Sequence, residues 1–167
     1  DAVIKRISRD GILAITNTDT AALTGTYPKV CARKYWALPK KDHMMHEAGL
    51  RILIRKVQLI GMQYEKALTP IFSYYKDHYL RMFFQCVKGK KECDKIAKQH
   101  GMFNDAGPMW LGSLCNKKIA DKLCTKAFSR ELLKFLRIIK EESKVNIVGF
   151  YDIHKIVKNE KIKSMKK

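Results

Sequence analysis

Thr18, Asp19 and Thr20 are the residues of this 167-residue chain whose types and placement best suit contact with a ligand. They follow Ile12-Leu13-Ala14-Ile15-Thr16-Asn17, a run of branched apolar residues that predicts a buried strand, and Gly25 and Pro28 then predict a loop. Open α/β sheets bind ligands outside the carboxyl ends of their strands. A carboxylate between two hydroxyls at such an end therefore suits a pocket edge. Two roles for Asp19 stand level: it accepts hydrogen bonds from a substrate, or it caps the turn after it.

A second constellation follows at once. Tyr27, Lys29, Arg33, Lys34, Tyr35 and Trp36 interleave rings with cations. That mixture suits RNA, whose bases stack on rings and whose phosphates meet Lys and Arg. Core packing competes for one or two of the rings. Arg51, Arg55 and Lys56 lie off the apolar stripe of a later helix, as a solvated face or a further RNA contact. His46 and Glu47 open that helix without an identifiable third partner for metal or acid–base chemistry, so Glu47 is expected to serve the helix start. Cys86, Cys93 and His100 are too few and too badly spaced for tetrahedral zinc, and no metal is expected.

Composition agrees with a polyanionic partner. Lys and Arg number 34 against 16 Asp and Glu, a formal charge of +18, which favours phosphate binding through counterion release. A basic protein without a specific partner has the same composition. No apolar run approaches the roughly 18 residues that cross a bilayer. The five cysteines, Cys31, Cys86, Cys93, Cys115 and Cys124, read as reduced thiols and imply a cytoplasmic protein.

These residues need a scaffold, and the patterning predicts an α/β one. Residues 1–8 read as the end of a crossover helix stopped at Arg9-Asp10-Gly11. Leu50, Leu53, Ile54, Val57 and Ile60 make a helical stripe within residues 44–64. Residues 68–75 and 79–87 predict a hairpin turning at Lys76-Asp77-His78, with Leu80, Met82, Phe84 and Cys86 sharing one face. Residues 88–100 read as an exposed insert with one helical turn, and Trp110 as junction packing. Residues 114–126 and 129–142 predict helices. Ser129 caps the second, and its buried face is expected to hold Leu132, Leu133, Phe135, Leu136 and Ile139. A short helix at 150–157 with a basic tail then fits either a helix-turn-helix (winged-helix-like) element or a plain terminal cap. The expected divisions are 1–89, 90–113 and 114–167.

Three ordered blocks also carry a resemblance. Asn17-Thr18-Asp19-Thr20-Ala21-Ala22-Leu23 with residues 25–35, then residues 46–54, then residues 106–114 resemble the tRNA guanine-26 N2-dimethyltransferases. The resemblance implies the closing half of a class I (Rossmann-like) methyltransferase sheet followed by a mostly helical region. It also implies S-adenosylmethionine as donor and the N2 amine of a tRNA guanine as acceptor. Relatives commonly carry two Cys-x-x-Cys knuckles where this chain has only Cys86 and Cys93. No G-x-G-x-x-G loop and no Asp/Asn-Pro-Pro/Phe tetrapeptide occurs. The chain, which starts on Asp1, is therefore expected to be an excerpt whose donor site lies mainly upstream, inactive alone. A non-catalytic RNA-binding protein and a DNA-binding helical module are the alternatives.

Overall fold

The strand with the cleanest alternation lies at the centre of the main sheet. In a computed structural model describing residues 2–126, 129–144 and 148–149, the elements run as follows. The first half holds α1 (Ala2–Arg6), β1 (Ile12–Asn17), α2 (Thr20–Leu23), α3 (Pro28–Tyr35), α4 (Met45–Met62), β2 (Lys66–Lys76) and β3 (Tyr79–Lys88). The second holds α5 (Lys90–Ala97), β4 (His100–Phe103), β5 (Ala106–Trp110), α6 (Lys117–Thr125) and α7 (Arg130–Glu142). Leu80, Met82, Phe84 and Cys86 of β3 are completely buried, and β3 pairs antiparallel with β1 on one side and β2 on the other. The expected hairpin and long helix are both present, within two residues of the expected ends.

β1 departs from expectation in one respect. Leu13 is buried, but Ile12 is 65% exposed and Ala14 and Thr16 also face outward. The reason is the face they share: Ile12, Ala14 and Thr16 stand opposite Gln85, Phe83 and Arg81 on the outward side of the sheet, while Leu13 stands opposite Phe84 on the core side. α1 also ends differently. Asp10, not Gly11, takes the left-handed conformation (φ 61°). Lys66 Nζ closes the turn by donating to the carbonyls of Ile4, Lys5 and Ile7 at 2.7–2.8 Å. Those carbonyls would otherwise lack partners.

α4 lays Leu50, Leu53, Ile54 and Val57 against β2 and β5. Its Gly49 sits on α2, where an added Cβ would stand 3.0 Å from the Leu23 carbonyl oxygen. Residues 88–100 are mostly exposed, but they hold more than one helical turn. Within them Lys90–Ala97 form α5, two turns docked on β2 through Cys93 and Ile96, with its lysines outward. Two apolar anchors suffice for a short helix lying on an existing sheet. The β4–β5 hairpin is likewise an addition to the expected elements. Gly101, Gly107 and Pro108 resemble punctuation in sequence, yet they lie inside its strands.

α6 and α7 pack together over a smaller core of Phe72, Cys115, Ala120, Leu136 and Ile139. Asn116 caps α6 through bonds from the Lys118 and Ile119 amides. Ser129 caps α7, its Oγ accepting from the Leu132 amide at 3.1 Å. Leu132 itself is 41% exposed, so it leaves the expected buried face. The expected helix at 150–157 lies outside the described residues. No described helix is long and apolar enough to cross a membrane.

Candidate functional site

The carboxyl end of β1 is tied to α3 by four polar side chains. Asn17 Oδ1 accepts from the Asp19 amide at 2.7 Å, closing the turn after the strand. Asn17 thus does the capping that the sequence left open to Asp19, whose side chain makes no cap bond to α2. The Asp19 carboxylate instead accepts from Lys34 Nζ at 2.9 Å and from the Tyr35 hydroxyl at 3.0 Å. Tyr35 Oη in turn accepts from Asn17 Nδ2 at 3.2 Å. Burial first, and the Asp19 charge with it, hold the Tyr35 phenol above its ordinary pKa. The same two causes push Cys31 up to about 11. Thr18 is exposed beside Asp19, while Thr20 opens α2, its carbonyl taking both the amide and the hydroxyl of Thr24. Asp19 keeps 34% of its side chain open to solvent, enough to face a ligand.

α3 presents the mixed face. Pro28 starts the helix with its φ already set. Tyr27, Lys29, Arg33, Lys34 and Trp36 are exposed, the two rings at 58% and 54%. Lys56 reaches over from α4 and sets its ammonium 3.1 Å from the Trp36 ring centre.

Three expected contacts leave this face. Tyr35 is only 7% exposed, because its ring completes the core under α3 while its hydroxyl holds Asp19. Arg51 is 1% exposed: its Nε meets Glu47 Oε1 at 2.7 Å and its Nη1 donates to the carbonyls of Trp110 and Gly112. Arg55 is half-buried, its Nε and Nη1 enclosed without hydrogen bonds, and burial lowers its pKa. The stripe of α4 is wider than its apolar residues, since β5 covers the face that carries Arg51. Glu47 accordingly serves an ion pair rather than the helix start, and it also accepts from the Gly149 amide at 3.0 Å.

A cleft of about 470 Å³ opens between the start of α4, the end of β2 and α7. His46 stacks on Tyr75 with ring centres 3.9 Å apart. Tyr74 meets Phe135 edge-on at 5.1 Å. Glu142, the last residue of α7, lines the same space, and burial together with the facing Glu47 pushes it up to about 7. The sequence reading missed Ser73 and Glu142, which belong to segments nearly 70 positions apart and share no spacing signal.

The raised Glu142 fixes the sign of a pH effect. The folded state holds this proton more tightly than the unfolded one, so its stabilising contribution is complete below pH 4.5 and is lost as pH rises through about 7. Relative to Glu142→Gln, the native chain is expected to lose about 2 kcal/mol of stability across that interval. Urea midpoints of both proteins at several pH values check this. A constant difference contradicts it.

His100 is held neutral, down to about 4, by burial and then by Arg55, and its Nε2 donates to Gln58 Oε1 at 2.8 Å. Cys86 lies in the core of β3 and Cys93 on α5. Among the described residues no three His, Cys, Asp or Glu side chains are grouped to hold a metal ion.

An order β1-β3-β2 with β3 antiparallel to both neighbours, three helices between β1 and β2, and a polar edge at the carboxyl end of β1 match the closing part of a class I methyltransferase sheet. The chain belongs to the N2,N2-dimethylguanosine tRNA methyltransferase family, whose model matches residues 1–106 and 100–167. It is 35% identical over 196 residues to the tRNA (guanine(26)-N(2)/guanine(27)-N(2))-dimethyltransferase of Aquifex aeolicus, covering 97% of this chain and 50% of that one. Identity reaches 38% over 186 residues with the tRNA (guanine(26)-N(2))-dimethyltransferase of Methanocaldococcus jannaschii, covering 96% and 49%. The solved complex of Trm1 from Pyrococcus horikoshii with S-adenosyl-L-methionine superposes with a TM-score of 0.79 at 33% identity, over 92% of this chain and 48% of that one. The chain thus spans about half the length of the curated relatives it matches.

Proposed function

We propose that this chain forms the closing half of a tRNA guanine-N2 methyltransferase. In this reading it supplies a rim of the reaction pocket and much of the tRNA surface, while S-adenosylmethionine is held mainly by residues outside it. The observation that carries the reading is the junction at β1. A part-exposed carboxylate at a strand's ligand-side end adjoins a face of exposed rings and cations. The residues present do not fit the donor. Three described strands are followed by a helix, β1 through Asn17-Thr18-Asp19, β3 through the single Gly89 and β5 through residues 111–116, and none of these joints is a G-x-G-x-x-G loop. No step is therefore assigned to the donor here.

What the chain's own residues do follows from the acceptor. The N2 lone pair of guanine is delocalised into the ring, so reaction demands in-line placement and a route for the departing proton. A stacked guanine must first leave its stack. Thr18, Asp19 and Thr20 rim the place where it would arrive, and Asp19 is the group able to accept from its amine or imino N–H. Tyr27, Trp36, Lys29, Arg33 and Lys34 hold the surrounding RNA by stacking and charge.

Asp19→Asn tests the reading. The change keeps the shape and the acceptor for Tyr35 but removes the charge. In the protein joined to its donor-binding half, turnover is expected to fall about 10- to 100-fold while tRNA affinity stays within about twofold. Equal losses in both would make Asp19 a docking group. A loss of folded protein would make it only the tie that holds α3.

A further inference from the structure

The cleft beside α7 is not part of the rim at Asp19, and its lining is unusual for a chain of net charge +18. Its walls are aromatic: the stacked His46–Tyr75 pair on one side and Tyr74 with Phe135 on another. Two of its polar side chains hold a buried atom without a partner. Ser73 is 6% exposed and its Oγ is buried without a hydrogen bond; His46 Nδ1 is buried in the same condition. Burying a hydroxyl or a ring nitrogen without a partner is costly, and such groups mark places where a ligand supplies the missing bond.

Glu142 sharpens the point. It ends α7, where the helix dipole is already negative, and it faces the Glu47 carboxylate. Among the described residues no ion pair and no hydrogen bond engages its side chain, whereas Glu47 is satisfied by Arg51. A half-buried carboxylate set against two negative neighbours is unfavourable by itself. N–H donors arriving from a ligand relieve it.

The cleft also has the right size and place. About 470 Å³ lies within the roughly 300–1,000 Å³ of small-ligand sites. Asn17 of β1 and Tyr75 of β2 both stand opposite Leu80 of β3, so the cleft opens at the same end of the sheet as Asp19. The two lie two strands apart, about 10 Å at the usual strand spacing. One RNA can reach both.

We propose that this cleft is a binding pocket for a second, non-target guanine base, stacked within the aromatic walls with its Watson–Crick N1–H and N2–H donating to Glu142 and a ring acceptor taking the Ser73 hydroxyl. Guanine is favoured over the other bases because it alone offers two adjacent N–H donors to a carboxylate's two acceptors, whereas adenine and cytosine each pair one donor with one acceptor. That the guanine belongs to tRNA rests on the function proposed above; the chemistry of the pocket does not.

The chemistry makes a specificity swap the decisive experiment. At pH 8, ligand-observed saturation-transfer NMR is run on the intact chain with guanosine, adenosine and spermidine, for the native protein, Glu142→Gln and Ser73→Ala. The native chain is expected to bind guanosine at least tenfold more tightly than adenosine. Glu142→Gln, whose amide offers one acceptor and one donor, is expected to reverse that order. Ser73→Ala is expected to weaken guanosine several-fold without reversal. Circular dichroism confirms that each variant is folded, and Glu142→Asp serves as a second carboxylate variant that keeps the guanosine preference if Glu142→Gln does not fold.

Absence of nucleoside binding, unchanged preference in Glu142→Gln, or displacement of guanosine by spermidine overturns the pocket. Electrophoretic shift of tRNA is measured in parallel. Guanosine binding with a swap but no tRNA binding keeps the pocket, assigns it to a free nucleoside or nucleotide, and removes the tRNA reading. A tRNA shift without guanosine binding does the opposite.

Discussion

Replacing Arg51 with Met is expected to cost about 3–5 kcal/mol of stability, the range for breaking a buried ion pair from one side. Arg51 is 1% exposed, and its partner Glu47 is 3% exposed at 2.7 Å. Removal of the guanidinium leaves a carboxylate enclosed with Glu142 as its neighbour. It also strips two backbone carbonyls, those of Trp110 and Gly112, of the donor that joins them to α4. Arg51→Lys is expected to recover only a part, since one ammonium cannot reproduce the fork that spans these acceptors. Urea unfolding followed by tryptophan fluorescence measures it, because Trp110 sits on the joined segment. A loss below about 1 kcal/mol would show the pair to be replaceable by packing.

The second large effect falls on RNA binding. Lys29 and Arg33 stand one helical turn apart on the exposed side of α3 and make no ion pair among the described residues, whereas Lys34 is engaged with Asp19. Of the three cations on α3 they are the two left open to phosphate. Changing both to Ala is expected to weaken tRNA binding about 10- to 30-fold near physiological salt. The log–log salt slope should flatten by about 1.5, reflecting two lost contacts at 0.7–0.9 each. Filter binding across a salt series reads both. Removal of the Trp36 ring should weaken affinity without changing the slope, because stacking releases no counterions. If the double variant leaves affinity and slope unchanged, α3 is a solvated surface.

The pattern of what was legible has a physical basis. β3 announced itself through strict alternation, because it is covered on one face by the core and flanked on both edges. α4 was equally plain in extent, yet its burial was not. Arg51 carries a charge, and charge reads as surface until a partner four residues away and two carbonyls 59 and 61 residues away satisfy it. Tyr35 is the same lesson in reverse, a ring assigned to RNA that the core claims through its face and Asp19 through its hydroxyl. α5 and the β4–β5 hairpin were hidden because each depends on contacts with β2 and α4 rather than on local periodicity. Glu142 and Ser73 lie beyond any reading of spacing, since only the folded chain brings α7 to the end of β2.

The central claim is that this chain completes an RNA methyltransferase that it cannot be alone. The direct measurement is mass spectrometry of nucleosides from tRNA incubated with S-adenosylmethionine and one of three preparations: this chain, the donor-binding half of the protein, or the two joined. N2-methylated guanosine is expected only from the joined protein. Its formation by this chain alone would place the donor site within these residues. Its absence from a joined protein that is folded and binds tRNA would contradict the assignment.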